Sequence, residues 1–103
     1  MASKDFQKHA EKVREGLRSS RSSTDLYIAK DADIAVIGIQ NSSGGSGHDT
    51  IYVLNGKNSP RKVLDETFIR GRMFPKGISD NGKTFTYVIK SESGHFSEDT
   101  KET

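Results

Sequence analysis

The stretch Ile34-Ala35-Val36-Ile37-Gly38-Ile39 decides the fold, because it is the longest nearly continuous apolar run in the chain. A short run of this kind is typical of a strand whose two faces are both covered. We therefore expect residues 34–39 to form a central strand, with further strands on either side of it.

Two flanking segments predict the neighbouring strands. Before the central run, Leu26 and Ile28 alternate with Tyr27 and Ala29. After it, the segment 50–54 is rich in residues that favour strands and ends at Asn55-Gly56, a pair typical of a hairpin turn. Sequential hairpins of this kind predict an antiparallel sheet.

The second half of the chain contains the clearest strand, 83–90, in which Phe85, Tyr87 and Ile89 alternate with Thr84, Thr86 and Val88 after the turn Asp80-Asn81-Gly82. The segment 70–79 predicts an edge strand that is broken at Pro75, since proline cannot donate to a ladder. Residues 59–70 are compatible with a helix or a strand, and both alternatives stay open.

An N-terminal helix is predicted over residues 4–18. Phe6, Ala10, Val13 and Leu17 repeat at the spacing of one helix face, and Ser3 is a suitable N-cap. The polar face mixes both signs of charge, which favours a solvated surface over a cationic one.

Two segments contain little that could join a core. Residues 41–49 are rich in glycine and serine and predict a flexible loop, and residues 91–103 contain Phe96 as their one large apolar residue and predict a disordered tail. The loop lacks the lysine that a phosphate-binding P-loop requires after its last glycine. We expect one domain over residues 1–90.

The composition limits the class of protein. The chain has 103 residues, of which 31% are hydrophobic, and no cysteine. This predicts one thin core without disulfides or thiolate metal sites. The first residues do not resemble a signal peptide and no apolar run is long enough for a membrane span, so we expect a cytoplasmic protein without membrane contact.

These elements predict an α+β fold, in which the N-terminal helix packs on a small curved antiparallel sheet of four or five strands. A small open barrel is the alternative arrangement of the same strands.

Positive charge is concentrated in residues 55–90, which hold eight lysines and arginines against three acids. If Arg70 and Arg72 lie in one strand, both side chains share a face, where they could bind phosphates beside Phe74 or Tyr87 as a base-stacking ring. The candidate nucleic-acid-binding residues are Arg70, Arg72, Lys76 and Lys83, with Lys57, Arg61 and Lys62 as peripheral contacts. The alternative is an ordinary edge strand that its charges protect from aggregation.

No pattern predicts catalysis, a cofactor or a metal site. The three histidines, His9, His48 and His95, are far apart in sequence, and the chain has neither a nucleophile elbow nor a cysteine. His48-Asp49 resembles a catalytic pair but lies in the predicted flexible loop, which offers no rigid support.

The segment Phe68-Ile69-Arg70-Gly71 resembles the Ile-Arg-Gly element of the Sm-like RNA-binding proteins, which also begin with a helix before a five-stranded barrel. The resemblance covers only these residues. The acidic and asparagine-containing first motif of that family has no match in residues 31–40, so its function is not transferred.

The sequence therefore predicts a small non-enzymatic binding protein. The first hypothesis is a nucleic-acid-binding module that uses the basic hairpin. The alternative is a small regulatory or inhibitory protein that binds another protein, through the edge around residues 70–74 or through the glycine-rich loop.

Overall fold

The two halves of the chain form two separate antiparallel sheets in the computed structural model, which describes residues 2–20, 22–43 and 46–103. Within these residues lie the helix α1 Lys4–Leu17 and the strands β1 Ser22–Ile28, β2 Ile34–Ser43, β3 Ser46–Asn55, β4 Arg61–Ile69, β5 Arg72–Ile78, β6 Thr84–Lys90 and β7 Phe96–Glu102. The first sheet has the order β1-β2-β3-β4 and the second the order β5-β6-β7. The α+β class with antiparallel pairing is confirmed.

Helix α1 begins at the predicted cap. The hydroxyl of Ser3 accepts a hydrogen bond from the backbone N–H of Phe6 at 3.0 Å, which satisfies one of the free donors at the helix start. Phe6 and Ala10 are buried and share one apolar cluster with Ala35 of β2 and Leu54 of β3. The apolar stripe of the helix is therefore the face in contact with the first sheet.

Strand β2 has a partner on each side, as its apolar sequence predicts. Ile37 pairs with Leu26 of β1 and with Tyr52 of β3. Alternate residues of β2 then enter different clusters: Ala35 joins the helix side, whereas Val36 packs with Met73 and Phe85 of the second sheet. Both faces of β2 are therefore covered along its apolar half, 34–39, whereas residues 40–43 at its end are polar.

The second sheet packs against the first through β5, which lies close to β1, β2 and β3. Strand β5 continues through Pro75, with a bulge between Pro75 and Gly77 in its pairing with β6. The side chain of Pro75 is fully buried against Gly38 of β2. The expectation of a single sheet with four or five strands is therefore corrected to two sheets with seven strands, and these sheets do not close into a barrel.

Two segments differ from the sequence-based expectations. Residues 41–43 and 46–49, expected in a flexible loop, extend β2 and β3, and Gly44 and Gly45 lie outside the described residues. Within the predicted tail 91–103, the segment 96–102 forms β7 and pairs with β6. Long-range pairing with a neighbouring strand overrides the weak apolar character of both segments.

The undecided segment 59–70 is resolved as a strand. Residues 61–69 form β4, which pairs antiparallel with β3 and has a register shift between Ile51 and Tyr52. Of the described segments, α1 is the one helix, and with 14 residues it is too short and too polar to cross a membrane.

Candidate binding site

Arg70 and Arg72 belong to different local structures. Arg70 lies after β4 and has a φ of 61°, whereas Arg72 is the first residue of β5. The buried Gly71 separates them, and a Cβ atom at Gly71 would lie 2.8 Å from the carbonyl oxygen of Lys90. The close approach of β6 thus requires glycine here, and strand alternation does not relate the two guanidinium groups.

A buried carboxylate holds Arg72. Arg72 Nη1 donates to Asp49 Oδ1 at 3.2 Å, and the backbone N–H of Met73 donates to Asp49 Oδ2 at 2.9 Å. Asp49 is 0% exposed, and this burial raises its pKa although the bonds from Met73 and Arg72 act in the opposite direction. The guanidinium of Arg72 therefore partly neutralises the buried Asp49 carboxylate, and a ligand would have to compete with this carboxylate for it.

Two other basic residues also have acidic partners. Lys76 Nζ donates to Glu98 Oε2 of β7 at 3.1 Å, and Lys62 Nζ lies 3.7 Å from Asp65 Oδ2. All four side chains are more than a third exposed, so each pair is weak in energy but reduces the local positive charge.

Asp65 also accepts two hydrogen bonds from β3. One comes from His48 Nε2 and the other from Thr50 Oγ1 at 3.0 Å. The bond with His48 is the main cause that holds the pKa of Asp65 below its ordinary value. His48 and Thr50 of β3 thus both bond to one carboxylate of β4.

An open groove of about 660 Å³ lies between the start of β4 and the end of β7. Its lining residues, which define the β4–β7 groove, are Arg61, Lys62, Val63, Thr100, Lys101, Glu102 and Thr103. Lys83 lies next to this groove, since its carbonyl oxygen accepts a hydrogen bond from the backbone N–H of the lining residue Thr103 at 3.0 Å. Three predicted site residues, Arg61, Lys62 and Lys83, are thus near one another.

The opposite ends of the same two strands carry exposed apolar side chains. Ile69, the last residue of β4, is 70% exposed, and Phe96, the first residue of β7, is 60% exposed. Gly71 lies against the Lys90 carbonyl, and Lys90 pairs with Phe96 and has its Nζ 5.6 Å from the centre of the phenyl ring. These contacts bring the end of β4 and the start of β7 to the same end of the molecule.

The predicted site residues therefore fall into separate groups. Arg70 and Arg72 lie at the end where β4 finishes, whereas Arg61 and Lys62 line the groove where β4 begins. Lys57 lines a separate cavity of about 180 Å³ together with His9 and Asp33. Of the four residues expected on one hairpin, Arg72 and Lys76 lie on β5 and Lys83 directly precedes β6, whereas Arg70 lies before β5.

Two features of this region were not predicted from the sequence. Asp49 was assigned to a loop, although Asp49, Ile51 and Val53 have the alternation of one buried strand face. Thr100 and Lys101 were assigned to a disordered tail, and no local pattern among these polar residues could have indicated a groove wall.

Within residues 2–20, 22–43 and 46–103, no group of three or more histidine, aspartate or glutamate side chains is arranged to hold a metal ion. Comparison of the chain with protein-family models, with curated proteins and with solved structures finds no match.

Proposed function

We propose that this chain is a small non-enzymatic binding protein that recognises another protein by pairing an extended segment of it with the edges of β4 and β7. The observation that carries the proposal is that edge strands of two different sheets line one groove. Addition of a strand to a sheet edge is a common way to recognise peptides, in which main-chain hydrogen bonds supply the affinity.

Each of the two strands has one edge without a strand partner in the described part of the chain. Strand β4 pairs with β3, and β7 pairs with β6. All seven residues of β7 are exposed. The backbone N–H and C=O groups along such an edge are available to an added strand.

The two edges run in opposite directions along one side of the molecule. The start of β4 and the end of β7 line the groove, and the opposite strand ends lie at one end of the molecule, on either side of the contact between Gly71 and Lys90. Strand β1 is the other edge of the first sheet, but α1 and β5 both pack close to it. Strand β4 is therefore the more open edge of that sheet.

Nucleic-acid binding through the basic residues has less support. Lys62, Arg72 and Lys76, three of the seven residues predicted for it, each lie within 4.0 Å of a carboxylate. A phosphate would have to compete with these internal partners for the same charges. The cytoplasmic location expected from the sequence stays a prediction.

The experiment selects peptides as long as β4, 9 residues, from a displayed random library against the full chain. Amide hydrogen exchange with the selected peptide should show new protection in β4 and β7, and β1 provides an internal control because it is an edge strand outside the groove. Methylation of alternate backbone nitrogens of the peptide should abolish binding, since it removes donors that pair with the edge.

Two results would overturn the proposal. The first is a library that yields no binder, or a binder that protects β1 and leaves β4 and β7 unchanged. The second comes from parallel titrations with single- and double-stranded DNA and RNA at two salt concentrations. An affinity that falls steeply with salt and is lost in Arg70→Ala/Arg72→Ala would replace protein binding with nucleic-acid binding.

A further inference from the structure

The two ends of the strand pair that flanks the β4–β7 groove differ in chemistry. At the groove itself, the lining contains the basic side chains Arg61, Lys62 and Lys101 against one acidic side chain, Glu102. At the far end, Ile69 and Phe96 are the exposed large hydrophobic residues of the described chain. A bound strand would therefore meet positive charge at one end and apolar surface at the other.

The basic end has charge that is not matched internally. In the part of the chain that the structure describes, Arg61 and Lys101 have no carboxylate within 4.0 Å. Lys62 is half-exposed but lies 3.7 Å from Asp65, so the unmatched charge at this end comes from Arg61 and Lys101. Complementary charges across an interface select the partner and fix its register, which makes acidic side chains the matching chemistry here.

The apolar end offers a contact surface instead of a charge. Lys90 Nζ covers the Phe96 ring at 5.6 Å from its centroid, and more than half of the phenylalanine surface still faces solvent. Ile69 is even more exposed. Large apolar residues that are exposed at the end of an open edge are typical anchor points for an apolar side chain of a partner.

The length of β4 sets the spacing between the two ends. Arg61 and Ile69 are the first and last of its 9 residues, which corresponds to about 27 Å at the usual rise of about 3.4 Å per residue. We infer that the occupant is an extended peptide of a partner protein, with acidic side chains at one end and a large apolar side chain about seven or eight residues away. This inference rests on the proposed function.

The probes are fluorescent peptides as long as β4 that differ only at their ends. The first has two glutamates at one end and a leucine at the other, and a second has the same residues in reverse order, because the direction of the added strand is open. Two controls replace the glutamates by lysines or scramble the sequence. We expect an acidic probe to bind at least about tenfold more tightly than its lysine counterpart.

Variants of the protein test which residues bind the acidic end of the peptide and which bind its apolar end. Arg61→Glu/Lys101→Glu should weaken the acidic probe by about tenfold and strengthen the lysine probe, since the signs are exchanged. Lys8→Glu/Lys12→Glu makes the same change of net charge at exposed positions of α1 and should leave both affinities unchanged. Ile69→Ser/Phe96→Ser should weaken every leucine-containing probe without changing the preference for glutamate.

The outcomes separate this inference from the proposed function. If acidic, basic and scrambled probes bind equally and all protect β4 and β7, the edge binds peptides but the inferred chemistry is wrong. If library peptides bind at β4 and β7 and neither acidic probe does, the inference fails in the same way. If no peptide of any kind binds, the proposed function fails. If sedimentation shows a dimer that Arg61→Glu/Lys101→Glu dissociates, a second copy occupies the groove and the inference is overturned.

Discussion

Gly38 of β2 packs directly against Pro75 of β5, and a Cβ atom added to Gly38 would lie 2.3 Å from Cδ and 2.8 Å from Cγ of the proline. Pro75 is one of the fully buried side chains, in the strand through which the second sheet packs against the first. The absence of a side chain on Gly38 therefore allows the two sheets to approach each other at this point.

The first prediction concerns this contact. We expect Gly38→Ala to lower the free energy of unfolding by about 1 to 3 kcal/mol, because the added methyl group must displace a rigid ring in a buried interface. Urea unfolding followed by circular dichroism measures the change. Gly16→Ala is the matched control: nothing lies within 4 Å of that position in α1, and alanine should stabilise the helix by up to about 1 kcal/mol.

Equal stabilities of Gly38→Ala and the wild-type protein would contradict this packing of β5 on β2. A destabilised Gly16→Ala variant would instead show that position 16 does not have the open, helical surroundings described for it.

The contact also shows what the sequence could predict about the fold. The apolar run 34–39 indicates a strand that is covered on both faces, but it does not say which elements cover it. Gly38 looks like a weak point within that strand, and Pro75 looks like a break in another. The glycine is explained by the proline that packs against it, and the buried proline by the glycine that makes room for it. A single sequence does not show that these two positions, far apart in the chain, are in contact.

A second prediction concerns Asp49, whose carboxylate is the acceptor for the Met73 N–H. Asp49→Leu should cost about 1 to 3 kcal/mol, because it leaves a buried backbone donor without a partner. Asp49→Asn should cost less, since the amide oxygen can still accept this bond and the neutral group avoids the desolvation of a charge. Urea unfolding at neutral pH distinguishes the two variants, and a larger loss for Asn than for Leu would contradict the assigned role.

The raised pKa of Asp49 gives a third prediction, about pH. The folded protein binds a proton at this carboxyl more readily than the unfolded chain, whose ordinary pKa is 3.8. The contribution of Asp49 to the free energy of unfolding therefore falls as the pH rises from 3.8 through the folded-state pKa, and it is constant above that value. The difference in stability between the wild-type protein and Asp49→Asn isolates this term, and we expect it to be most favourable to the wild type at low pH.

Asp65 gives a fourth prediction with the opposite sign. Its pKa is lowered in the folded state, mainly by the hydrogen bond with His48, so its stabilising contribution is present above pH 3.8 and is lost as the pH falls through the folded-state value. The advantage of the wild-type protein over Asp65→Asn should therefore shrink on acidification. Because Asp65 is partly exposed, we expect less than about 1 kcal/mol at neutral pH. A difference that grows below pH 3.8 would contradict the assigned network.

The candidate site was only partly predictable from the sequence. The basic character of residues 55–90 is visible from charge counting, and Arg61 and Lys62 do line a groove. The acids that pair with the other basic residues come from distant positions, as Asp49 does for Arg72 and Glu98 does for Lys76. Such pairing is set by the arrangement of the two sheets, and local patterns of charge do not contain it.

The last prediction tests β7, the strand that supplies one wall of the β4–β7 groove from residues expected to be disordered. In the structure, β7 pairs along its whole length with β6, and Thr103 donates hydrogen bonds to the turn at Gly82 and Lys83. Removal of residues 96–103 should lower the free energy of unfolding by about 2 kcal/mol, since several cross-strand pairs of a few tenths of a kcal/mol each are lost. It should also promote aggregation, because β6 becomes an unprotected edge.

The matched control for this truncation is the full chain with Phe96→Ser, which keeps the strand pairing and removes one exposed side chain. We expect the control to unfold at the urea concentration of the wild-type protein and the truncated chain to unfold earlier, with faster amide exchange throughout β6. A truncated chain with unchanged stability and unchanged exchange in β6 would mean that residues 96–103 do not form a strand in solution. The groove would then have one wall, and the proposed strand addition would involve β4 alone.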